Sequence, residues 1–206
     1  MLPELMNSLG EKVPWKATSS GHAFIIKKIP DYTTLVAQGK VWKAQDLTTT
    51  AVLTALPTTV SALTAQNPTP NLWYVVFAVT IIVDVAPVSL GSVGLSYCTH
   101  NLPVTDYTRD VALTVVNGLM GGQGAYNGQI ILDRGATVVD NGWVPIGDSF
   151  SNVVNSQAWM QAERAFVAPV IIPPKMHISI GAQGNSATFE AGIGLIWAEV
   201  EAKELQ

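Results

Sequence analysis

The stretch LWYVVFAVTIIVDV, residues 72–85, is the most apolar part of the chain and decides how the rest is interpreted. From Leu72 to Val83 the chain has twelve residues, all apolar except Thr80. This run is too short for a transmembrane helix, which needs about 20 residues. Its Val, Ile and aromatic residues favour a β-strand. Alternation at period two predicts one core-facing set: Trp73, Val75, Phe77, Val79, Ile81, Val83 and Val85. The other face is less apolar, and we expect an arm, a loop or another protein to cover it.

Charge is scarce and unevenly distributed along the 206 residues. Charged residues make up 13% of the chain, against roughly 25% in an average soluble protein. Residues 1–46 carry six lysines and four acids, a net charge of +2, and residues 47–206 carry five bases and eleven acids, a net charge of −6. The acidic body argues against general nucleic-acid binding. A soluble monomer normally exposes more charge, so we expect neighbouring subunits to cover part of this surface.

From residue 47 onward the chain reads as β-strands separated by Asn, Pro and Gly turns. The turn NPTPN at 67–71 and the strand signals GSVGLSYCTH (91–100), MHISIGA (176–182) and TFEAGIGLIWAEVEA (188–202) are the clearest. The pattern predicts an all-β fold, an antiparallel β-sandwich of the jelly-roll type, over residues 47–206. Gly192 and Gly194 share a strand face on which a neighbouring backbone is expected to approach closely.

Residues 1–46 differ in composition, with short apolar clusters among prolines and lysines. We interpret them as an N-terminal arm or small subdomain with little regular structure. The alternative is that short strands at 22–28 and 39–44 are ordinary early strands of the same fold. The opening MLPELMNSLGEK lacks a signal-peptide pattern, which favours synthesis in a cytoplasm.

The histidines and the cysteine show no metal-site spacing. His22, His100 and His177 are scattered, and Cys98 is the single cysteine, so neither a structural zinc site nor an intrachain disulfide is expected. His177 falls on the polar face of an alternating strand, which predicts a surface or interface position. Cys98 follows a tyrosine within a strand, and we expect it to be buried and inert.

The carboxylates give no clear catalytic arrangement. Asp106, Arg109 and Asp110 cluster at a turn-to-strand junction, which favours a solvated or intersubunit ion pair over the carboxylate pair of a glycosidase. The Gly-Gly-Gln at 121–123 is followed by no Gly-Lys-Ser/Thr, so it predicts a flexible loop and not a phosphate loop. The sequence therefore predicts no catalytic residue, no cofactor and no metal, and a protein that is not an enzyme.

Two segments carry a family resemblance. PTTVSALTAQNPTPNLWYVVFAVTIIVD (57–84) resembles the opening strands of jelly-roll domains in bacteriophage structural proteins, and FVAPVIIPPKMHISIGAQGNSATFEAGIGLIWAEVE (166–201) resembles their closing strands. The chain is most similar to the decoration, or cement, proteins of tailed-phage heads. The resemblance implies a homotrimer on the capsid exterior that contacts the major capsid protein, hence a virion location. It implies neither a membrane nor a catalytic site.

The arm supplies the candidate shell-binding residues. Its positive charge suits an acidic shell, and its apolar residues suit strand addition to a partner's sheet; the candidates are Phe24, Ile25, Ile26, Lys27, Lys28 and Trp42. Deleting residues 1–46 is expected to leave a folded trimer that no longer binds particles. Two other functions stay open: a major jelly-roll capsid, tail or fibre protein, and a carbohydrate-binding or receptor-binding module that uses Tyr107, Tyr126 and Trp143.

Overall fold

Two antiparallel sheets pack against each other in the computed structural model, which confirms the predicted all-β sandwich. The structure describes residues 16–17, 23–24, 31–57, 61–85, 91–100, 113–119, 128–134, 142–147, 150–152, 160–186 and 188–204. In sheet I the strand order is β10 (Val144–Pro145), β7 (Gly91–His100), β13 (His177–Gly184), β5 (Leu63–Gln66), β9 (Ile131–Asp133), with β11 (Phe150–Asn152) also beside β7.

Sheet II has the order β12 (Met160–Ile172), β6 (Leu72–Val85), β14 (Glu190–Glu201), β3 (Val41–Gln45), β8 (Val115–Asn117), with β4 (Thr50–Ala51) also beside β14. A separate hairpin joins β1 (Lys16–Ala17) and β2 (Ala23–Phe24). One helix, α1 (Tyr32–Ala37), precedes β3, and a 3₁₀ turn (Ala202–Glu204) follows β14. Among the described strands, β6, β7, β13 and β14 are long and are those that the sequence indicated most clearly.

The strand pairs are nested along the chain. In sequence, the paired strands β7 and β11 lie between the paired strands β6 and β12. These lie between the pair β5 and β13, which in turn lies between the pair β3 and β14. Early strands therefore pair with late ones, and consecutive strands such as β5, β6 and β7 alternate between the two sheets. The main apolar core lies between the sheets and includes Ile180 from sheet I and Leu195 and Trp197 from sheet II.

A β-bulge at Phe77 divides β6 into two halves with opposite alternation. Trp197 pairs with Val76 but Ile196 pairs with Ala78, so one residue of β6 is left over. An extra residue on one strand reverses which side chains face the core. The sequence prediction of a single core-facing set is therefore wrong before the bulge. After the bulge it is right at Val79, Ile81 and Val83, and the side chain of Val85 lies outside the described part of the chain. The β6 side chains that face the main core are Tyr74, Val76, Val79, Ile81 and Val83.

The helix α1 covers the second face of β6. Leu35 is buried in a second apolar cluster with Val75 and Ile196, and the ring of Tyr32 packs edge-on against Phe77 with centroids 5.1 Å apart. Asp31 caps the helix, because its carboxylate accepts a hydrogen bond of 2.7 Å from a first-turn backbone N–H. The covering segment expected from the sequence is thus an early part of the same chain.

Residues 31–46 contribute β3 to sheet II, as the alternative interpretation of 39–44 expected, and α1, which packs against that sheet. Trp42, a candidate residue of the shell-binding arm, pairs with Trp197 and lies buried in the main core. The expected close approach at the two glycines is also found. A Cβ on Gly192 or Gly194 would overlap with backbone carbonyl oxygens of β3 and its following residue. A deletion that is meant to leave the sandwich intact must therefore end before residue 31.

Asn67 fixes the predicted turn between β5 and β6. Its buried amide nitrogen donates to the backbone oxygens of Leu72 at 2.7 Å and Ile172 at 3.1 Å, and its side-chain oxygen accepts from the hydroxyl of Thr69 at 2.6 Å. One side chain therefore joins the turn to the end of β12 and satisfies its own polar atoms.

Candidate functional site

The outer face of sheet I is polar in sequence but buried in the structure. Thr64, Ser96, His100, His177 and Ser179 alternate with core residues, and all five are less than 5% exposed. The sequence predicted a surface or interface position for His177; the structure instead buries it at 3% exposure. Burying a polar group costs free energy unless the group is hydrogen-bonded. The hydrogen-bond partners of these side chains therefore determine whether the layer is stable.

A chain of hydrogen bonds crosses the three central strands of sheet I. The hydroxyl of Ser61 lies 2.8 Å from that of Thr64, which lies 3.2 Å from the hydroxyl of Ser179. The Ser179 hydroxyl also lies 2.8 Å from Nε2 of His100. The ring of His100 stacks on that of His177, with centroids 4.2 Å apart and planes inclined by 10°. We call His100 and His177 the histidine pair.

Burial, with a smaller contribution from the neighbouring His100, lowers the pKa of His177 from 6.5 to about 4. Both effects disfavour the charged imidazolium, so His177 is neutral at pH 7. The contact between Ser179 and His100 has the atom types of a serine nucleophile and its base. Because both side chains are buried, a substrate has no access to the hydroxyl in this arrangement, and the contact acts as a structural hydrogen bond.

An apolar groove opens on the same face of sheet I, beside the buried polar layer. Its volume is about 370 Å³. Gly94, Ser96 and Gln183 line it from the sheet, and Leu56 and Trp143 line it from the flanking segments. A Cβ built on Gly94 would meet nothing within 4 Å, so the groove is open at this point. No charged side chain is among the lining residues that the structure describes.

Exposed apolar side chains lie at and beside this groove. Leu56, which lines it, is 54% exposed, and Val144, which adjoins the lining residues Trp143 and Pro145, is 47% exposed. Trp143 is held in place because its indole N–H donates to the backbone oxygen of Pro57 at 2.8 Å. Contiguous exposed apolar area is typical of an interaction surface. We call this region the Leu56 groove.

The edges of both sheets are poorly suited to pairing with another strand. The edge strands β8, β9 and β10 are each three residues or shorter, and so are β4 and β11, which lie beside the main strand orders. The remaining edge strand, β12, is long, but its register breaks between Ala165 and Val170, and Pro169 lies in that interval. Short strands, bulges and prolines protect edges against strand addition. The described surface therefore favours contact through a face and not through an edge.

The predicted site residues are only partly within the described chain. Phe24 lies in β2, and Ile25, Ile26, Lys27 and Lys28 lie outside the described residues. The predicted ion-pair cluster, Asp106, Arg109 and Asp110, also lies outside them, as do Tyr107 and Tyr126. Cys98 is buried, as expected.

An ion pair that the sequence did not indicate joins the two sheets. Nη1 of Arg134, after β9, lies 3.1 Å from the carboxylate of Asp46, after β3. The same carboxylate accepts a hydrogen bond of 2.8 Å from the backbone N–H of Thr48. Asp46 is buried, and its charge is therefore balanced by a partner on the opposite sheet.

The described part of the chain holds neither a group of metal ligands nor a membrane-spanning helix. Within it, no three His, Cys, Asp or Glu side chains are grouped so as to hold a metal ion. None of its helices has both the length and the apolar character required to cross a membrane.

Comparisons with known proteins give no family assignment. No family model, curated protein or solved structure matches the chain. The features of the chain that bear on its function are the Leu56 groove, the charge distribution and the strand pairing.

Proposed function

We propose that the chain is a structural subunit of a virus particle, a trimeric cement protein that binds the outside of a phage head and stabilises it. The observation that carries the proposal is the Leu56 groove, an apolar surface whose described lining residues carry no charge, on a chain with only 13% charged residues. Such a surface gains free energy when a partner covers it. The major capsid protein and further copies of the chain are the proposed partners.

The strand pairing supports the jelly-roll form of the sandwich. A jelly roll is a long antiparallel hairpin that is rolled into two sheets, so that its strand pairs are nested. The pairs β7–β11, β6–β12 and β5–β13 follow this order, with β3–β14 outside them. Jelly rolls are common in viral capsid proteins, although the fold alone does not determine function.

The first test is the mass of the purified full-length protein by light scattering after size exclusion. We expect three times the 21.9 kDa of one chain. Leu56→Asp places a charge in the groove and is expected to reduce the mass, whereas Thr50→Asp adds the same charge at an exposed position of β4 and should leave it unchanged. A wild-type monomer at all concentrations would contradict the trimer.

The second test concerns the particle. Virus particles are purified by density gradient from a culture of cells that produce the chain. Mass spectrometry of these particles should detect the chain together with a major capsid protein. The double variant Lys27→Glu, Lys28→Glu is expected to form trimers but to lose binding to particles that lack the protein. Lys43→Glu, a lysine of β3, serves as the matched control. Equal particle binding by all three proteins would refute a role for the basic arm.

A second candidate function is glycan or receptor binding, because the half-buried Trp143 lines the Leu56 groove. Aromatic faces are common in sites that bind amphipathic ligands. A glycan array on the wild-type protein and on Trp143→Ala tests this candidate. Binding that requires Trp143, in a protein that does not associate with particles, would favour a carbohydrate-binding module over a cement protein.

A further inference from the structure

The histidine pair joins the central strands of sheet I at one point. His177 lies directly opposite His100 across β7 and β13, and directly opposite Gln66 across β13 and β5. The next row, Cys98, Ser179 and Thr64, crosses the same three strands. Cross-strand neighbours share one face of a sheet, so both rows belong to the buried polar layer.

We infer that the histidine pair is an acid-sensitive joint, in which protonation of the stacked rings weakens the pairing of β7 with β13 and loosens sheet I. The inference is independent of the proposed function, since it concerns the isolated chain. It rests on three features of the pair: the parallel rings 4.2 Å apart, their burial, and the hydrogen bond of His100 to the Ser179–Thr64–Ser61 chain.

Protonation would conflict with the burial of the pair and with the close stacking of its rings. A charged imidazolium in this layer loses its hydration, which burial makes costly. Two charged rings at the stacking distance would also repel each other. The side chains of β5 that lie nearest, Thr64 and Gln66, are uncharged. A proton on the pair is therefore accommodated most readily when the two strands separate and water enters.

The other titratable groups of this face are few in the described residues. Cys98 lies two positions before His100 on β7, and Asp133 lies opposite Thr64 across β5 and β9. Lys175 precedes β13 in sequence, and its amine contacts the backbone oxygen of Pro68. After burial, the second cause that lowers the pKa of His177 is the neighbouring ring of His100.

The sign of the pH effect follows from linkage. The pKa of His177 is about 4 in the folded chain and 6.5 in the unfolded chain, so between these values the unfolded chain binds the extra proton. Stability is therefore complete above pH 6.5 and is lost as the pH falls toward 4. At pH 5 these two pKa values give an unfolding constant about 30-fold larger than at pH 7.5, which is about 2 kcal/mol at 1.36 kcal/mol per tenfold change.

Urea unfolding of the full chain at pH 7.5 and pH 5.0 measures this change. The wild type should show the increase of about 30-fold that is calculated for His177. The ratio between the two pH values should be at least about tenfold smaller in His177→Gln, because the variant lacks the titrating ring. His22→Gln, which removes the remaining histidine of the chain, should retain the wild-type ratio. Equal ratios in all three proteins would overturn the inference.

Two measurements on the wild type cover the case in which His177→Gln does not fold. An NMR titration should show the ring of His177 neutral in the folded protein at pH 5; a ring that titrates near its ordinary pKa with the fold intact would contradict the joint. Hydrogen exchange at pH 5 and 7.5, corrected for intrinsic rates, should show lost protection in β5, β7 and β13 before β6 and β14. Simultaneous loss in both sheets would exclude local loosening of sheet I.

Discussion

Replacing Gly194 by alanine tests how closely β3 and β14 approach each other. A Cβ at this position would overlap with the backbone oxygen of Ala44 and with the hydroxyl of Thr80, far inside the about 3.5 Å at which non-bonded atoms pack. The Thr80 hydroxyl can rotate away, but it then loses its 2.6 Å hydrogen bond to Gln45, at a cost of about 1 kcal/mol. The Ala44 oxygen belongs to the strand ladder, so β3 itself must move.

Overpacking of this kind costs about 1–3 kcal/mol, and the reduced freedom of the unfolded alanine chain returns about 0.4–1 kcal/mol. We therefore expect Gly194→Ala to lower the free energy of unfolding by about 1–3.5 kcal/mol, measured by urea titration with tryptophan fluorescence. The matched control is Gly94→Ala, another strand glycine, whose Cβ would meet nothing within 4 Å. Equal stabilities of the two variants would refute the close approach of β3 and β14.

Three further changes test contacts elsewhere in the sandwich, each by urea unfolding at pH 7.5. Asn67→Ala removes the hydrogen bonds that join the β5–β6 turn to β12 and should cost about 2–4 kcal/mol, since buried partners remain unsatisfied; a loss under about 1 kcal/mol would contradict this role. Arg134→Met leaves the buried Asp46 carboxylate without its charged partner, and because Arg134 itself is partly exposed we expect a cost of about 1–3 kcal/mol, between the values for exposed and for fully buried pairs. Combining it with Asp46→Asn should recover part of that loss, and strictly additive losses would show that the ion pair is not coupled. Trp42→Ala should cost about 3–5 kcal/mol because the side chain fills the core, whereas unchanged stability together with lost particle binding would place Trp42 in the arm after all.

The long strands could be predicted because their alternation is a local signal. GSVGLSYCTH matches β7 residue for residue, and the stretch from Leu72 to Val85 matches β6. The bulge at Phe77 could not be predicted, because it is defined by the pairing of β6 with β14, more than a hundred residues later. Alternation therefore predicted where the strands lie. Before Phe77 it did not predict which face of β6 each side chain occupies.

The helix α1 was missed although local signals for it exist. Asp31 is a favourable N-cap, and Gly39 adopts a positive φ of 68° directly after the helix, a combination typical of helix ends. Six residues are too few to show a helical apolar period. The arm assigned from the sequence therefore included a segment that belongs to sheet II.

The histidine pair and the Leu56 groove depend on contacts between distant parts of the chain. His100 and His177 meet only because β7 and β13 pair in one particular register. Leu56, Gly94 and Trp143 come from three separate segments. The sequence indicated the polar face of β13, but neither the partner of His177 nor its burial.

The nested order of the strand pairs has a consequence for biosynthesis. The strand β14 lies between β6 and β3, so sheet II lacks its central member until the ribosome has added residue 201. Until then β6, the most apolar segment, has no complete sheet to join, and such exposed strands are prone to aggregate. Pairing across so many residues also slows folding. We expect the nascent polypeptide to need a chaperone that shields β6 until β14 has been synthesised, and to acquire protease resistance only after β14 has left the ribosome.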